Sequence, residues 1–297
     1  MLSVLILTFN EEYDLPGCLA SLSWCDDIVV YDSYSTDLTQ QIAKDSGARF
    51  IQRHGQDPSI SFGGNEALHR TWGIHHIPFN YPWLLVLDAD ERLSPNALHE
   101  IESVLNGLQP QRSDLTSPCP VAFQLRRRDF FQGRHLKHVQ STPWYIRLFR
   151  PAFVHYERLV NPITVVDGPV ASLQCYIDHY PFSKGLSHWI SRHNTYSTLE
   201  AMQLCSDGYY SQQASFVGAL FSPYFHQRRA QQKQLFMRLR ARPLLKFLWL
   251  YLLKRGFLDG AQGLTYALLQ SIYEYFIVLK VRELKQASYP PSCIPPC

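Results

Sequence analysis

The chain has 297 residues, of which 46% are hydrophobic and 18% are charged, and its formal net charge is +3. This composition excludes a disordered or low-complexity chain, and the length suits one large domain or one domain with an appendage. The charge is unevenly divided: residues 1–100 carry fourteen acidic and five basic side chains, whereas residues 224–285 carry three acidic and twelve basic ones. The acidic half suits cation binding, and the basic half suits an anionic surface.

The cysteines and the apolar runs indicate where the protein acts. The seven cysteines are scattered and include no Cys-x-x-Cys pair, a pattern that favours reduced thiols in the cytoplasm. The first apolar run ends at Leu7 and is soon followed by Glu11 and Glu12, so no signal peptide is expected. Apolar runs of about 18 residues are missing, so we expect no membrane-spanning helix. No nucleic-acid partner is expected.

The first 90 residues alternate short apolar runs with segments of helical periodicity. The predicted strands are residues 2–7, 27–31, 48–51 and 83–87. The predicted helices carry Leu15, Leu19 and Leu22, run from a cap at Ser35 or Thr36 to Ser46, and extend from Asn65 to Trp72. This alternation predicts an α/β fold with an open, mostly parallel sheet and helices on both faces.

Polar residues follow three of these strands. Thr8 follows the first strand, Asp32 the second and Asp88 the fourth. Ligands of such sheets bind beyond the carboxyl ends of the strands, so these residues should line one cleft. Asp88 and Asp90 share one face if the extended backbone persists past Leu87, and together they would suit Mg²⁺ or Mn²⁺ bridging to a phosphate. The alternative is that Asp-Ala-Asp is a solvated turn.

Three motifs occur in order at residues 4–12 (VLILTFNEE), 29–39 (VVYDSYSTDLT) and 83–92 (WLLVLDADER). Together they resemble the family 2 inverting glycosyltransferases of the GT-A fold. Within that family the sequence is most similar to enzymes that add sugars to lipopolysaccharide core or other cell-surface glycans. The resemblance implies a nucleotide-diphosphate sugar as donor, Mn²⁺ or Mg²⁺ as cofactor, and a glycan or glycolipid as acceptor.

The resemblance also implies which residues contact the nucleotide. Thr8, Asn10 and Glu11 or Glu12 would line the base and ribose. Asp32 would hold the edge of the base or ribose.

The metal site implied by the resemblance uses later residues. Asp90 would bind the metal, and Asp88 would contact the ribose or lie near the metal. His179, at the end of a predicted strand, is similar to the late histidine that completes the metal shell in GT-A enzymes; a structural role is the alternative. The sequence departs from the family at Tyr34, which stands where a glycine is common.

Sugar transfer also needs a base for the acceptor hydroxyl. Related enzymes have a His-Glu element after an Arg-Leu-Phe run, and here Tyr156 separates His155 from Glu157. We predict Glu157 as the general base, because a carboxylate in a partly desolvated cleft gains basicity. His155 is the competing candidate, and a surface Glu beside a core His is the structural alternative.

A basic segment, Arg126 to Arg128 with Arg134, surrounds two phenylalanines. It would clamp donor phosphates or the acceptor, or it is a solvated edge.

Helical periodicity begins at Ser183, which predicts a catalytic domain at residues 1–182 and a helical region at residues 183–297. Helices are predicted at Leu186–Tyr196 and Phe216–Tyr224. A further apolar segment, Leu244–Leu253, is accompanied by Lys246, Lys254 and Arg255. This segment would either lie on an anionic membrane, at the inner face of the cytoplasmic membrane, or pack on the sheet or on a second subunit of an oligomer.

The sequence also leaves two other classes of function open. A nucleotidyltransferase also has acidic strand ends, but it usually has a Gly-rich phosphate loop with a basic residue, and Thr8–Glu11 has neither. A non-catalytic carbohydrate-binding protein would not need the carboxylate of Asp90.

Overall fold

The computed structural model describes residues 2–55, 65–108, 119–140, 142–157, 162–206, 239 and 241–287. The chain divides into two compact units, one of residues 1–135 and 141–185 and the other of residues 136–140 and 186–297. The helix predicted at Phe216–Tyr224 lies outside the described residues.

In the first unit, strands and helices alternate up to residue 107. The strands are β1 (Ser3–Thr8), β2 (Ile28–Asp32), β3 (Arg49–Gln52), β4 (Leu84–Asp88) and β5 (Glu91–Leu93). The helices are α1 (Leu15–Ala20), α2 (Thr39–Asp45), α3 (Glu66–His76) and α4 (Ala97–Gly107). The later strands are β6 (Ala122–Phe131), β7 (Arg134–His135), β8 (Trp144–Phe149), β9 (Val154–Glu157), β10 (Ile163–Val166) and β11 (Val170–His179).

Nine of the described strands form one mixed sheet in the order β3-β2-β1-β4-β8-β6-β11-β5, with β7 paired to β6. Strands β1 to β4 are mutually parallel, as predicted. Beyond them β8 runs antiparallel to both β4 and β6, β11 is parallel to β6, and β5 is antiparallel to β11. β9 and β10 form a separate antiparallel pair. The predicted α/β class is confirmed, and the second half of the sheet adds antiparallel pairings.

The alternation of side chains along β1 explains why both faces of the sheet carry helices. Val4 and Ile6 pack in one apolar cluster with residues of α1, α2 and α4. Leu5 and Leu7 pack on the opposite face with residues of α3. All four side chains are buried. Because successive side chains of a strand point to opposite faces, an uninterrupted apolar run requires cover on both sides.

The start of α2 differs from the prediction. Neither Ser35 nor Thr36 caps the helix, which begins at Thr39, and Asp37 Oδ1 accepts a hydrogen bond from the Thr39 backbone N–H at 3.0 Å. Ser35 and Thr36 are instead held by the loop after β1, since the Thr36 N–H donates to Asn10 Oδ1 at 2.8 Å and the Asn10 N–H donates to Ser35 Oγ at 2.7 Å. Contacts between loops therefore override the local capping signal.

In the second unit, the described residues from 186 onwards are mostly helical. It contains α5 (Gly185–Ser206), α6 (Arg242–Leu248), a π-helical turn (Trp249–Leu253), a 3₁₀ turn (Gly256–Asp259) and α7 (Gly260–Ala287). α5 packs on α7 through Ala201, Leu204, Ile277 and Val281. A Cβ at Gly263 would lie 2.1 Å from the Gly256 carbonyl oxygen, so only glycine fits where α7 crosses the 3₁₀ turn. Among the described residues, we find no helix that combines the length and the apolar character needed to cross a membrane.

A buried carboxylate explains why residues 136–140 belong to the second unit. Asp259 accepts hydrogen bonds from the backbone N–H groups of Lys137, His138 and Val139, at 3.2, 2.9 and 2.7 Å. These bonds hold the pKa of Asp259 below its usual range, although burial opposes them. No local pattern of residues indicates this anchor.

Candidate active site

The loops after β1 and β2 are fastened to each other by a buried carboxylate. Asp32, at the end of β2, accepts hydrogen bonds from Thr8 Oγ1 at 2.8 Å, the Ser35 N–H at 2.8 Å and Gln52 Nε2 at 3.0 Å. Parallel pairing sets Thr8 opposite Asp32. The structure therefore brings the predicted residues Thr8 and Asp32 together, and Asp32 organises the ends of three neighbouring strands.

Asn10 and Glu12, both predicted to contact the nucleotide, take part in the same fastening. The Glu12 N–H donates to Asp37 at 3.0 Å, and a Glu12 carboxylate oxygen accepts from the Leu38 N–H at 3.2 Å. Asn10 and Tyr34 both adopt left-handed backbone conformations, with φ of 55° and 61°. Tyr34 stands where the family commonly has a glycine. Its hydroxyl donates a hydrogen bond to the Arg53 carbonyl at 2.7 Å, which helps to hold this side chain on a left-handed backbone.

Glu11 lies in a cluster of acidic groups beside one lysine. Its carboxylate is 2.7 Å from Lys184 Nζ, which also donates to the Asn10 carbonyl at 2.6 Å. Burial raises the pKa of Glu11 to about 8; nearby Asp90 adds to this effect, and Lys184 opposes it. Lys184 was not predicted, and its only signal in the sequence was a basic residue shortly after the last strand of the sheet.

Asp88 is held between two buried arginines. Its two carboxylate oxygens lie 2.7 Å from Arg70 Nη2 and 2.9 Å from Arg147 Nη2. Arg147 also contacts Glu91 at 2.6 Å, and Glu91 in turn accepts the Asp88 N–H at 3.0 Å. Burial alone would raise the pKa of Asp88, but the two guanidinium groups hold it well below its usual range. Asp88 is therefore an ionised carboxylate whose oxygens already have partners.

The backbone turns after Asp88, so Asp88 and Asp90 do not continue one strand face. Asp90 lies in a turn between β4 and β5, and its carboxylate is 3.3 Å from His179 Nε2. The pairing of β11 places His179 opposite Glu91 of β5 and Asp129 of β6. The structure therefore places Asp90 beside His179, whereas Asp88 forms ion pairs with Arg70 and Arg147.

His179 is oriented by a second carboxylate. Its Nδ1 is hydrogen-bonded to Asp129, which is 3% exposed, so the ring presents Nε2 towards Asp90. Burial disfavours the charged ring, yet the neighbouring Asp90 and Asp129 raise the pKa of His179 to about 9. Asp129 was missed in the sequence, because its partner lies fifty residues away along the chain.

The donor set of Asp90 and His179 fits a divalent cation, which would take the place of the Nε2 proton that the neighbouring carboxylates otherwise keep on the ring. An imidazole fixed at Nδ1 by a carboxylate is a common arrangement of metal-binding histidines, and a carboxylate oxygen suits Mg²⁺ or Mn²⁺. Groups of three or more His, Cys, Asp and Glu side chains able to hold a metal do not occur among the described residues. The protein would thus supply two ligands, which suits Mg²⁺ because this ion usually keeps waters and substrate phosphates as its other ligands.

The two candidates for the general base, His155 and Glu157, both lie on β9. His155 Nε2 is 3.3 Å from a Glu157 carboxylate oxygen, and the two side chains are 41% and 62% exposed. Between them Tyr156 is buried, and its N–H donates to Thr71 Oγ1 of α3 at 3.0 Å. Glu157 therefore does not occupy the partly desolvated cleft that was expected, because strand alternation turns Tyr156 inward and Glu157 outward. Residues 158–161, which follow Glu157, lie outside the described part of the chain.

Of the basic segment, Arg126 to Arg128 lie in β6 and Arg134 begins β7. Arg128 forms two bonds with Asp178, of 2.6 and 2.8 Å, and Arg126 lies 4.6 Å from the centre of the Trp144 ring. Arg127, whose side chain is 16% exposed, lies 3.1 Å from Asp129. Arg127 is thereby part of the buried charges behind His179.

Comparisons with known proteins identify similar sequences and one similar structure. The family model described as glycosyl transferase family 2 matches residues 3–166. An uncharacterised glycosyltransferase of Rickettsia typhi is 24% identical over 97% of this chain and 88% of its own length. The lipopolysaccharide core biosynthesis glycosyltransferase LpsC of Rhizobium meliloti is 27% identical over 92% of each chain. A crystal structure of S. aureus TarS 1–349 in complex with UDP-GlcNAc is 13% identical, with a TM-score of 0.43, over 97% of this chain and 92% of that chain.

The matched family decides between the classes of function that the sequence left open. The family model spans more than half of the chain and includes β1 to β10, with Asp32, Asp88, Asp90 and Glu157. Sugar transfer is therefore favoured over nucleotidyl transfer and over non-catalytic carbohydrate binding, and the chain belongs to glycosyl transferase family 2.

Proposed function

We propose that the protein transfers a sugar, with inversion, from a nucleotide-diphosphate donor to a hydroxyl of a cell-surface glycan or lipid-linked acceptor. The observation that carries the proposal is the pair Asp90 and His179, oriented by Asp129 at the carboxyl ends of the strands. The name of LpsC supports lipopolysaccharide core as the acceptor class. The scattered cysteines support a cytoplasmic location.

The donor would be held at the carboxyl ends of β1, β2 and β4. The loops fastened by Asp32 would receive the base and ribose, with Thr8, Asn10, Glu11 and Glu12 lining the nucleotide. Asp90 and His179 would hold Mn²⁺ or Mg²⁺, with Asp88 close to the same site or to the ribose. A bound cation would act as a Lewis acid for the charge that develops on the departing diphosphate.

The acceptor step would use the His155 and Glu157 pair. In inversion the acceptor oxygen attacks the anomeric carbon while the bond from that carbon to the diphosphate oxygen breaks. The proton of the acceptor hydroxyl passes to Glu157, which is 3.3 Å from His155 Nε2 and can be oriented by it. His155 stays the competing base.

The metal part of the proposal is tested by Asp90→Asn. Removing this charge should cost several kcal/mol of transition-state stabilisation, so turnover should fall by about 10³-fold. The assay is transfer or hydrolysis of a panel of nucleotide sugars with Mn²⁺, with and without EDTA, using lipopolysaccharide core and unrelated glycans as acceptors. Asp45→Asn, an exposed carboxylate of α2, is the matched control. Full activity of Asp90→Asn, or wild-type turnover that EDTA leaves unchanged, would disprove this role.

The base assignment is tested by comparing Glu157→Gln with His155→Ala. Loss of a general base typically lowers turnover about 10²- to 10⁴-fold while donor binding survives. Glu157→Gln should therefore bind the donor nucleotide normally in calorimetry and fail to transfer sugar. If His155→Ala is the inactive variant and Glu157→Gln is active, the two roles are reversed.

A further inference from the structure

Five apolar side chains of the second unit face solvent around the π-helical turn. We name them the apolar cap: Leu245, Leu248, Trp249, Leu252 and Leu253. Their exposed fractions are 39%, 36%, 53%, 53% and 71%. All but Leu252 line a cavity of about 500 Å³, which Lys246 also lines. Contiguous exposed apolar groups of this kind mark interaction sites on soluble proteins.

The cap is not the inward face of these helices. Leu250, between the cap residues, is buried, and Arg242 at the start of α6 is buried 3.0 Å from Glu274 of α7. Ser271 of α7 donates to the Pro243 carbonyl at 2.7 Å. α6 and the π-helical turn are thus already anchored on α7, so the cap is not needed for that packing.

The charges beside the cap are positive. Lys246 lines the same cavity, and Lys254 and Arg255 directly follow the π-helical turn. Burial and the nearby charge of Lys246 lower the pKa of Lys254, so the two ammonium groups lie close enough to affect each other.

The acidic residues of the same region are engaged elsewhere. Asp259 and Glu274 are buried, Asp259 on the backbone of residues 137–139 and Glu274 beside Arg242. Glu283, near the end of α7, is exposed. The carboxylates close in sequence to the cap therefore serve internal contacts, and the local surface charge is positive.

We propose that the apolar cap inserts into the interfacial layer of a bilayer, while Lys246, Lys254 and Arg255 contact the phosphates of anionic lipids. Trp and Leu suit the depth of the headgroups and acyl boundary, and Lys and Arg suit the anionic surface. A second copy of the chain fits less well, because a symmetric contact centred on the cap would bring the cations of both copies together. The inference deepens the proposed function, since it would bring the enzyme to a lipid-linked acceptor.

The charge contribution is tested by co-sedimentation of the full chain with vesicles. Phosphatidylglycerol with phosphatidylethanolamine provides the anionic surface, and phosphatidylcholine the neutral one. Each cation lost should weaken binding about fivefold, so Lys246→Gln with Lys254→Gln and Arg255→Gln should weaken it about 100-fold at low salt. Lys44→Gln, an exposed cation of α2, should bind as the wild type does. High salt should weaken wild-type binding.

Insertion of the cap is tested separately from charge. Leu252→Ser with Leu253→Ser should lower vesicle affinity at least tenfold, whereas Leu186→Ser, 52% exposed on α5, should not. Brominated acyl chains should quench tryptophan emission in the wild type, and Trp249→Phe, a conservative change of a 53% exposed side chain, should lose most of that quenching. The assays need neither donor nor acceptor, so their outcome is independent of the proposed sugar transfer.

Three results would overturn the proposal. The first is a wild-type chain that stays in the supernatant with anionic vesicles at low salt. The second is vesicle binding that the charge and leucine variants leave unchanged. The third is self-association in sedimentation velocity that Leu252→Ser with Leu253→Ser abolishes, without any vesicle binding by the wild type.

Discussion

Replacing Asp129 by asparagine probes whether the carboxylate behind His179 prepares that histidine for a metal. Asp129 is 3% exposed and bonded to His179 Nδ1, so water does not readily take its place. Asparagine keeps an oxygen acceptor of similar size but removes the negative charge. Asp129→Ala removes the hydrogen-bond acceptor as well. Comparing the two variants therefore separates the effect of orienting the His179 ring from the effect of the negative charge.

Loss of a group that hydrogen-bonds a metal-binding histidine typically lowers metal affinity about 10- to 100-fold. Because the amide oxygen of the introduced asparagine would keep the hydrogen bond, we expect Asp129→Asn near the low end, about 10-fold or about 1.4 kcal/mol, and Asp129→Ala near about 100-fold. Asp129 also lies 3.1 Å from Arg127, so each variant must first be shown to stay folded by circular dichroism and urea unfolding.

The assay is Mn²⁺ titration followed by electron paramagnetic resonance, with and without UDP as a nucleotide-diphosphate probe. Asp178→Asn is the matched control, because Asp178 precedes His179 on β11 and pairs with Arg128. Its Mn²⁺ affinity should stay within about twofold of the wild type, since it does not touch the ring. Unchanged Mn²⁺ affinity in Asp129→Ala, or an equal loss in Asp178→Asn, would refute the reasoning.

Two further predictions concern stability. Arg147→Met leaves the carboxylates of Asp88 and Glu91 without their shared partner, so it should lower the free energy of unfolding in urea by about 3–5 kcal/mol. The exposed control Arg150→Met should lower it by less than about 0.5 kcal/mol. Equal effects of the two variants would contradict this. Asp259→Asn should cost about 2–3 kcal/mol at pH 7, where exposed Glu283→Gln costs little. Because the folded state lowers the pKa of Asp259, its contribution is present above the usual pKa of about 4 and is lost as pH falls through the folded pKa. The gap in melting temperature between wild type and Asp259→Asn should therefore narrow from pH 5 to pH 3, and a constant gap would exclude this origin.

The strand positions and their acidic ends could be predicted because they depend on local patterns. Uninterrupted apolar runs identified β1, β2 and β4, whose last residues are Thr8, Asp32 and Asp88. Parallel pairing then brings Thr8 and Asp32 side by side. The three glycosyltransferase motifs lie in the same segments, and the family they indicated is confirmed. The roles predicted for these residues stay predictions until the variants are measured.

The partners of those residues could not be predicted, because they depend on pairing between distant strands. His179 meets Asp129 only because β11 lies beside β6 in one register, and Arg147 meets Asp88 only because β8 adds antiparallel to β4. A signal did exist for Arg147: a charged residue inside an apolar strand has to find a buried counter-ion. The turn at Ala89, which the sequence allowed only as the alternative to a continuing strand, separates Asp88 from Asp90.

The loops at the ends of β1 and β2 suggest why the protein tolerates unfavourable backbone there. Left-handed conformations at Asn10 and Tyr34 cost about 1–3 kcal/mol each for residues other than glycine. The hydrogen bonds of Asn10 with Ser35 and Thr36, and of Tyr34 with Arg53, offset part of that cost. What results is a pair of loops already fixed in shape before any nucleotide arrives, so binding would order few side chains and lose little entropy. Under the proposed function this strain would serve a preorganised donor site, and a glycine at residue 34 would relieve the backbone but give up the bond to Arg53.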